Sequence, residues 1–155
     1  MQQKNIADQQ ALSRLATECA RAEHCSGEIL EKMHRWGLSE ETQAHIMAYL
    51  TDHKYIDDER FTHSFVSDKI KYNKWGRRKI EQALYGKRVP ADIIAAVLDT
   101  VPDSDYVEIL KPLLLNKRKS VSAKTDYERW MKLFQFAMGR GFSPDIIKQC
   151  LAEEG

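Results

Sequence analysis

Apolar residues recur three or four positions apart along most of the chain, which is the spacing of one helix face. In the first 54 residues they form three groups: Leu12, Leu15, Ala16 and Cys19; then Ile29, Leu30 and Met33; then Ile46, Met47 and Leu50. Ser26 and Ser39 precede the second and third groups and are predicted helix N-caps, while Gly37 is predicted to end the second helix in the left-handed conformation. The pattern predicts three helices, the first running from Asp8 to near His24, after a polar and frayed N-terminal tail.

The central stretch, residues 55–101, has the same organisation. Asp57, Asp58 and Glu59 stand directly before an apolar series, so a helix is predicted to begin at Asp57 or Asp58. Gly76 interrupts this pattern, and Pro90 suits the first turn of a further helix, where its missing N–H is not needed. The three predicted apolar faces hold Phe61, Phe65 and Ile70; Ile80, Ala83 and Leu84; and Ile93, Ile94, Val97 and Leu98.

Residues 102–155 predict three more helices. Pro102 breaks the chain, Asp103 or Ser104 caps the next helix, and Pro112 within that helix predicts a kink or break, since an interior proline costs about 3 kcal/mol. The basic and aperiodic segment 116–125 is predicted to be a mobile loop. The remaining apolar positions are Tyr106, Val107, Leu110, Leu113 and Leu114; Trp130, Met131, Phe134, Ala137 and Met138; and Ile146, Ile147, Cys150 and Leu151.

The joints between the second and third helices of each group resemble one another. They read Trp36-Gly37-Leu38-Ser39, Lys87-Arg88-Val89-Pro90 and Arg140-Gly141-Phe142-Ser143. Self-similarity at a spacing of about 50 residues is typical of tandem helical units. We therefore predict an all-α fold of three tandem three-helix repeats, with boundaries 1–54, 55–101 and 102–155, forming an elongated and curved molecule.

Composition agrees with an all-α chain and adds a view of the cellular setting. The 155 residues include only four prolines and seven glycines. Cys19, Cys25 and Cys150 form an odd set without a C-x-x-C motif, which favours free thiols and a reducing compartment, and we expect a cytoplasmic protein. The first ten residues lack the apolar core of a signal peptide. No apolar run reaches the roughly 18 residues of a membrane span, so no membrane partner is expected.

The net charge of +1 says little about partners, but its distribution is uneven. Residues 111–155 hold nine Lys or Arg and five Asp or Glu. The central stretch contains a basic block interleaved with Tyr72, Trp75 and Tyr85. Such a block predicts contacts with a polyanion or an acidic protein surface, although a solvated helix face with Tyr72 and Trp75 in the core has the same composition. The block comprises Lys69, Lys71, Lys74, Arg77, Arg78, Lys79, Lys87 and Arg88, and a second cluster comprises Lys117, Arg118, Lys119 and Lys124.

Candidate chemistry beyond charge is sparse. Asp57, Asp58 and Glu59 could form a carboxylate pair or a metal site, but helix capping accounts for them and is preferred. The five histidines match no zinc spacing, and no phosphate-binding glycine loop or G-x-S-x-G motif occurs. Phe61, Phe65, Trp130 and Phe134 are at helical spacing and are predicted to lie in the core. We expect no metal, no cofactor and no enzymatic activity.

The stretch Tyr55-Ile56-Asp57-Asp58-Glu59-Arg60-Phe61, followed by Gly76-Arg77-Arg78-Lys79-Ile80 and Leu84, resembles the signature of the RecX proteins, the regulators of the RecA recombinase. The similarity extends over roughly residues 10–153. The family usually has Gly where Lys74 and Arg88 stand. Arg88 is therefore predicted either to adopt a left-handed conformation or to follow a helix that ends earlier, at Gly86.

The resemblance implies a monomeric, non-catalytic protein of three three-helix repeats. RecX proteins bind along the groove of the filament that RecA forms on single-stranded DNA. They modulate, and most often inhibit, recombinase activity in DNA repair and the SOS response. The twelve cations of the two basic clusters become candidates for contacts with DNA or RecA. Two alternatives remain open, a stand-alone DNA-binding module without RecA contact and a helical adaptor for another protein.

Overall fold

The computed structural model describes the backbone of residues 2–154 and the side chains of residues 8–152. Within this range it contains helices and no strand, so the predicted all-α fold is confirmed. A short π-helical segment, Lys69–Asn73, continues directly from the fourth helix. The helices are α1 (Gln2–Arg21), α2 (Ser26–Arg35), α3 (Glu40–Asp52), α4 (Asp58–Asp68), α5 (Arg77–Gly86), α6 (Ala91–Leu98), α7 (Asp103–Ser120), α8 (Asp126–Gly139) and α9 (Pro144–Glu154).

The chain divides into two compact units. Residues 1–63 and 84–94 form the first, and residues 64–83 and 95–155 form the second. The divisions fall inside α4, α5 and α6, so the predicted boundaries of the three repeats are not the boundaries of these units. The division into three repeats stays a prediction drawn from the sequence pattern.

The first unit is built on the apolar faces predicted for α1 to α3. Its core comprises Ala11, Leu15, Ile29, Met33, Ile46, Leu50 and Ile56. Because these positions are three or four apart within each helix, each helix turns one stripe inward. The helix α1 begins at Gln2, earlier than the predicted start at Asp8, and so the polar segment that was expected to fray is helical.

In the second unit, α7, α8 and α9 pack against one another, and α7 also contacts the π-helical segment. Its buried side chains include Ile70, Ile80, Leu110, Leu114, Leu133, Phe142, Ile147 and Cys150. Leu110 and Leu114 are both completely buried on either side of Pro112. The helix α7 is continuous through Pro112, so the predicted break is wrong, because packing on both sides of the proline holds the helix together.

The first half of the predicted loop 116–125 is helical, since α7 extends to Ser120. Its last turn carries Lys117, Arg118 and Lys119, whose positive charges complement the negative end of the helix dipole. Ser120 supports the same turn by donating its hydroxyl hydrogen to the carbonyl of Lys117 at 3.0 Å. Only the short connection before Asp126 is irregular.

The three joints that resemble one another in sequence have the same backbone geometry. Gly37, Arg88 and Gly141 have positive φ angles of 72°, 62° and 93°. The residue after each donates its N–H to the carbonyl five positions back at 3.2 Å, and these donors are Leu38, Val89 and Phe142. This is the Schellman ending of a helix, with an apolar anchor directly after the left-handed residue. Of the two alternatives for the central joint, the left-handed Arg88 is confirmed. The helix α5 ends at Gly86, two residues before Arg88, just as α2 and α8 end two residues before Gly37 and Gly141.

The acidic run at the start of α4 does more than cap its own helix. Asp57 accepts a hydrogen bond from the N–H of Arg60 at 3.0 Å, which is the predicted capping role. The Asp58 carboxylate instead binds the start of α2, accepting from the N–H of Ser26 at 2.7 Å and from its hydroxyl at 2.6 Å. Ser26 is therefore not the cap of α2; that position belongs to Cys25, whose N–H donates to Glu28 at 3.2 Å.

Candidate nucleic-acid and protein interface

Six of the twelve predicted cations lie on one short segment, residues 69–79, which we call the basic turn. It comprises the π-helical segment, Lys74 in the left-handed conformation with a φ of 58°, and the first residues of α5. A π-helical stretch is rare and recurs at functional sites, because it displaces side chains from the ordinary helical register. The six cations are Lys69, Lys71, Lys74, Arg77, Arg78 and Lys79.

The joint between α8 and α9 holds the basic turn in place. The N–H of Gly76 donates to the carbonyl of Arg140 at 2.8 Å, and the N–H of Arg78 donates to the carbonyl of Gly141 at 3.0 Å. In return, the Arg140 guanidinium donates to the carbonyls of Asn73 at 2.7 Å and Lys74 at 3.2 Å. A Cβ atom at Gly76 would lie 2.3 Å from the nitrogen of Phe142, so only glycine permits this approach.

Lysine side chains of the basic turn pack against the rings of Trp75 and Tyr72. The Lys69 and Lys79 amines lie 5.0 Å and 4.9 Å from the centre of the Trp75 ring. Trp75 is half-buried, whereas Tyr72 is 69% exposed and has the Lys71 amine 5.3 Å from its ring centre. The alternative that placed both aromatic residues in the core is therefore wrong for Tyr72. Aromatic faces beside cations suit single-stranded nucleic acid, whose bases stack and whose phosphates attract positive charge.

Arg77 forms an ion pair within the second unit, at its surface. Its guanidinium donates to the Asp99 carboxylate at 2.8 Å. Burial raises the pKa of the nearby Tyr106 hydroxyl to about 12, and the positive charge of Arg77 opposes that rise only in part. Arg78, by contrast, points an exposed side chain outward while its backbone is fixed by Gly141.

The second cluster adjoins the basic turn through one ring. The Lys117 amine and the Arg140 guanidinium lie 5.1 Å and 5.8 Å from the centre of the Phe136 ring. Because Arg140 also binds the carbonyls of Asn73 and Lys74, positive charge continues from the end of α7 to the basic turn. Arg118, Lys119 and Lys124 are exposed near the same helix end.

The last two predicted cations lie in the first unit. The Lys87 amine is 3.5 Å from the Glu28 carboxylate. Burial raises the pKa of Glu28, but the Cys25 N–H bond and the Lys87 charge outweigh it and leave the pKa lowered. Arg88 is exposed beside a cavity of about 320 Å³, which it lines together with Lys32 and Arg35.

The other ten of the twelve predicted cations lie in the second unit.

One further residue belongs to this surface and was missed, and one residue that was predicted to be buried is exposed. Arg140 connects the two clusters, and its position directly before Gly141 in a repeat joint was a usable signal. Trp130 was predicted to lie in the core, yet it is 37% exposed. That prediction is wrong because helical spacing marks a face of a helix, and it does not say how completely neighbouring helices cover that face.

Comparisons with known proteins agree with the resemblance seen in the sequence. A family model described as the second three-helix domain of RecX matches residues 57–98, and the model of the third three-helix domain matches residues 103–151. The "Regulatory protein RecX" of Vibrio campbellii is 31% identical over 135 residues, covering 87% of this chain and 85% of the relative. The chain belongs to the RecX family. Its relatives carry the name of regulatory proteins.

Other members of the family extend the similarity over nearly the whole chain. The "Regulatory protein RecX" of Chlorobium limicola is 29% identical over 148 residues, which is 96% of this chain and 89% of the relative. The crystal structure of RecX from Lactobacillus salivarius superimposes with a TM-score of 0.88 at 20% identity, over 94% of this chain and 95% of that one. At this identity the structural match shows the fold alone.

The regions matched by the family models contain all twelve predicted cations. Among the described residues, no group of three or more His, Cys, Asp or Glu side chains is arranged to hold a metal ion. Within the described part of the chain, no helix has the length and apolar content to cross a membrane.

Proposed function

We propose that this RecX family member binds the filament that RecA forms on single-stranded DNA and inhibits its recombinase activity. The observation that carries the proposal is the basic turn, which the α8–α9 joint anchors through hydrogen bonds to residues 73–78. A rigid basic segment loses little conformational entropy on binding, so more of its electrostatic attraction remains as affinity. Its exposed cations attract phosphates or acidic side chains of a filament.

The proposal predicts that charge on the basic turn is needed for inhibition. Lys71 and Arg78 are the suitable pair to remove, because their side chains are exposed and bear no ion pair to a described residue. Arg77 is left intact because its loss would unpair Asp99. We expect the double change Lys71→Ala and Arg78→Ala to raise the concentration needed to inhibit RecA ATPase on single-stranded DNA by about tenfold, equal to roughly 1.4 kcal/mol.

The matched control removes two exposed cations elsewhere, Arg21→Ala and Lys148→Ala, and so changes net charge equally. This control should inhibit like the parent chain, and thermal unfolding should confirm that both variants fold. Equal inhibition by the basic-turn variant would contradict the proposal. A parent chain that binds naked single-stranded DNA but leaves RecA ATPase unaffected would favour a stand-alone DNA-binding module.

A further inference from the structure

One flank of α8 displays a series of aromatic and apolar side chains outside the core. Tyr127, Trp130, Phe134 and Met138 are three or four positions apart and therefore share a side of the helix. Tyr127 is 73% exposed and Trp130 is 37% exposed. The rings of Trp130 and Phe134 stack with their centres 5.1 Å apart and their planes at 23°. We call these four residues the aromatic flank.

The aromatic flank leads into a basic cavity. Met138 lines a space of about 290 Å³ between the start of α5 and the end of α8. The other described residues that line it are Arg78, Lys79, Gln82, Gly139 and Gly141, a set with two cations and no carboxylate. At 1.5 Å per residue, the flank from Tyr127 to Met138 is about 17 Å long. The aromatic rings therefore lie along one side of α8, and the cations Arg78 and Lys79 lie at its Met138 end.

We propose that the aromatic flank and this cavity bind one single strand of nucleic acid. Its bases stack on Tyr127 and Trp130, and its backbone phosphates meet Arg78 and Lys79. The inference deepens the proposed function, on which it rests, by assigning the strand to α8 in addition to the basic turn.

The chemistry of the surface selects a single strand over other partners. A duplex keeps its bases stacked on each other, so only unpaired bases can reach ring faces. An apolar protein helix would suit the rings but would gain nothing from the two cations at the end of the flank. Asp126 and Glu128 lie beside Tyr127 and repel phosphates there, so the phosphate contacts belong at the Met138 end.

The test measures binding of a labelled oligo-deoxythymidylate to the full chain by fluorescence anisotropy. Trp130→Ala should weaken binding by about tenfold, the order expected for one stacked base. Trp130→Phe should restore affinity to within about twofold, because a phenyl ring still stacks. Leu115→Ala on α7 is the matched control, since Leu115 is 54% exposed but lies outside the aromatic flank, and it should bind like the parent chain.

Intrinsic fluorescence supplies a second readout. Subtracting the Trp130→Phe signal from that of the parent chain isolates Trp130 from the other two tryptophans, and this difference should be quenched by the oligonucleotide. Unchanged affinity in Trp130→Ala, or quenching by RecA alone and not by DNA, would overturn the inference. RecA inhibition by the parent chain is measured in parallel. Inhibition without Trp130 quenching defeats only this inference, whereas absent inhibition defeats the proposed function.

Discussion

Three cations in this chain occupy backbone conformations that normally favour glycine. Lys54, Lys74 and Arg88 have φ angles of 61°, 58° and 62°. A side chain in the left-handed region costs about 1–2 kcal/mol, because Cβ crowds the backbone. All three residues follow the end of a helical segment, where positive charge complements the helix dipole and recovers part of that cost. At Lys74, this left-handed residue places an exposed cation on the basic turn.

Lys74→Gly should separate stability from binding. Removing Cβ relieves the left-handed strain, so we expect the free energy of unfolding to rise by up to about 1 kcal/mol. The lost charge should nevertheless weaken binding to the RecA filament. Chemical denaturation and a filament-binding titration measure the two effects.

Lys54→Gly is the control for this change, because it has the same backbone geometry outside the predicted interface. It should gain similar stability and bind the filament like the parent chain. If Lys74→Gly bound as tightly as the parent chain, the charge of Lys74 would have no part in the interface.

At the level of elements, carboxylates and guanidinium groups join helix ends that are distant in sequence. Asp58 at the start of α4 holds the start of α2 through Ser26. Arg60 donates to Glu23 at 2.6 Å and to the carbonyl of Lys54 at 3.2 Å. In the acidic run, Asp57 therefore caps its own helix, and Asp58 connects the starts of α2 and α4 within the first unit.

Asp58→Asn should lower the free energy of unfolding by about 2 kcal/mol. The amide keeps the shape of the carboxylate but loses its charge, so both charge-assisted bonds from Ser26 become weaker neutral ones, and the Ser26 hydroxyl must turn to accept from the amide NH₂. Urea denaturation measures the change. Glu59→Gln is the neighbouring control, because the Glu59 side chain is 73% exposed, and it should shift stability by less than about 0.5 kcal/mol. Equal stability of Asp58→Asn and the parent chain would show that these bonds contribute little.

For the whole molecule, a net charge of +1 means that any attraction to a polyanion must come from local clusters. The second unit concentrates ten of the twelve predicted cations, and Arg140 links their two groups. Binding through such clusters releases counterions, so it depends steeply on salt.

Affinity for the RecA filament should therefore fall linearly in log–log terms as salt rises. Each phosphate contacted on a single strand contributes a slope of about −0.7. The double change Lys71→Ala and Arg78→Ala should make the slope shallower by about 1.4, while Arg21→Ala with Lys148→Ala should leave it unchanged. Filament binding measured across a salt series tests this, and an unaltered slope in the basic-turn variant would exclude phosphate contacts at these two residues.

The sequence by itself determined most of the helical segments and the endings of the first and third repeat joints. Apolar spacing predicts a helix because it involves only residues within a few positions of one another. Gly37 and Gly141 predict helix ends because residues with a side chain disfavour a positive φ angle. Only the tertiary structure decided that α7 runs through Pro112, that Asp58 binds Ser26 and that Trp130 stays exposed. Each of these depends on residues far away in the chain, whose packing and hydrogen bonds can override a local preference or leave a helix face uncovered.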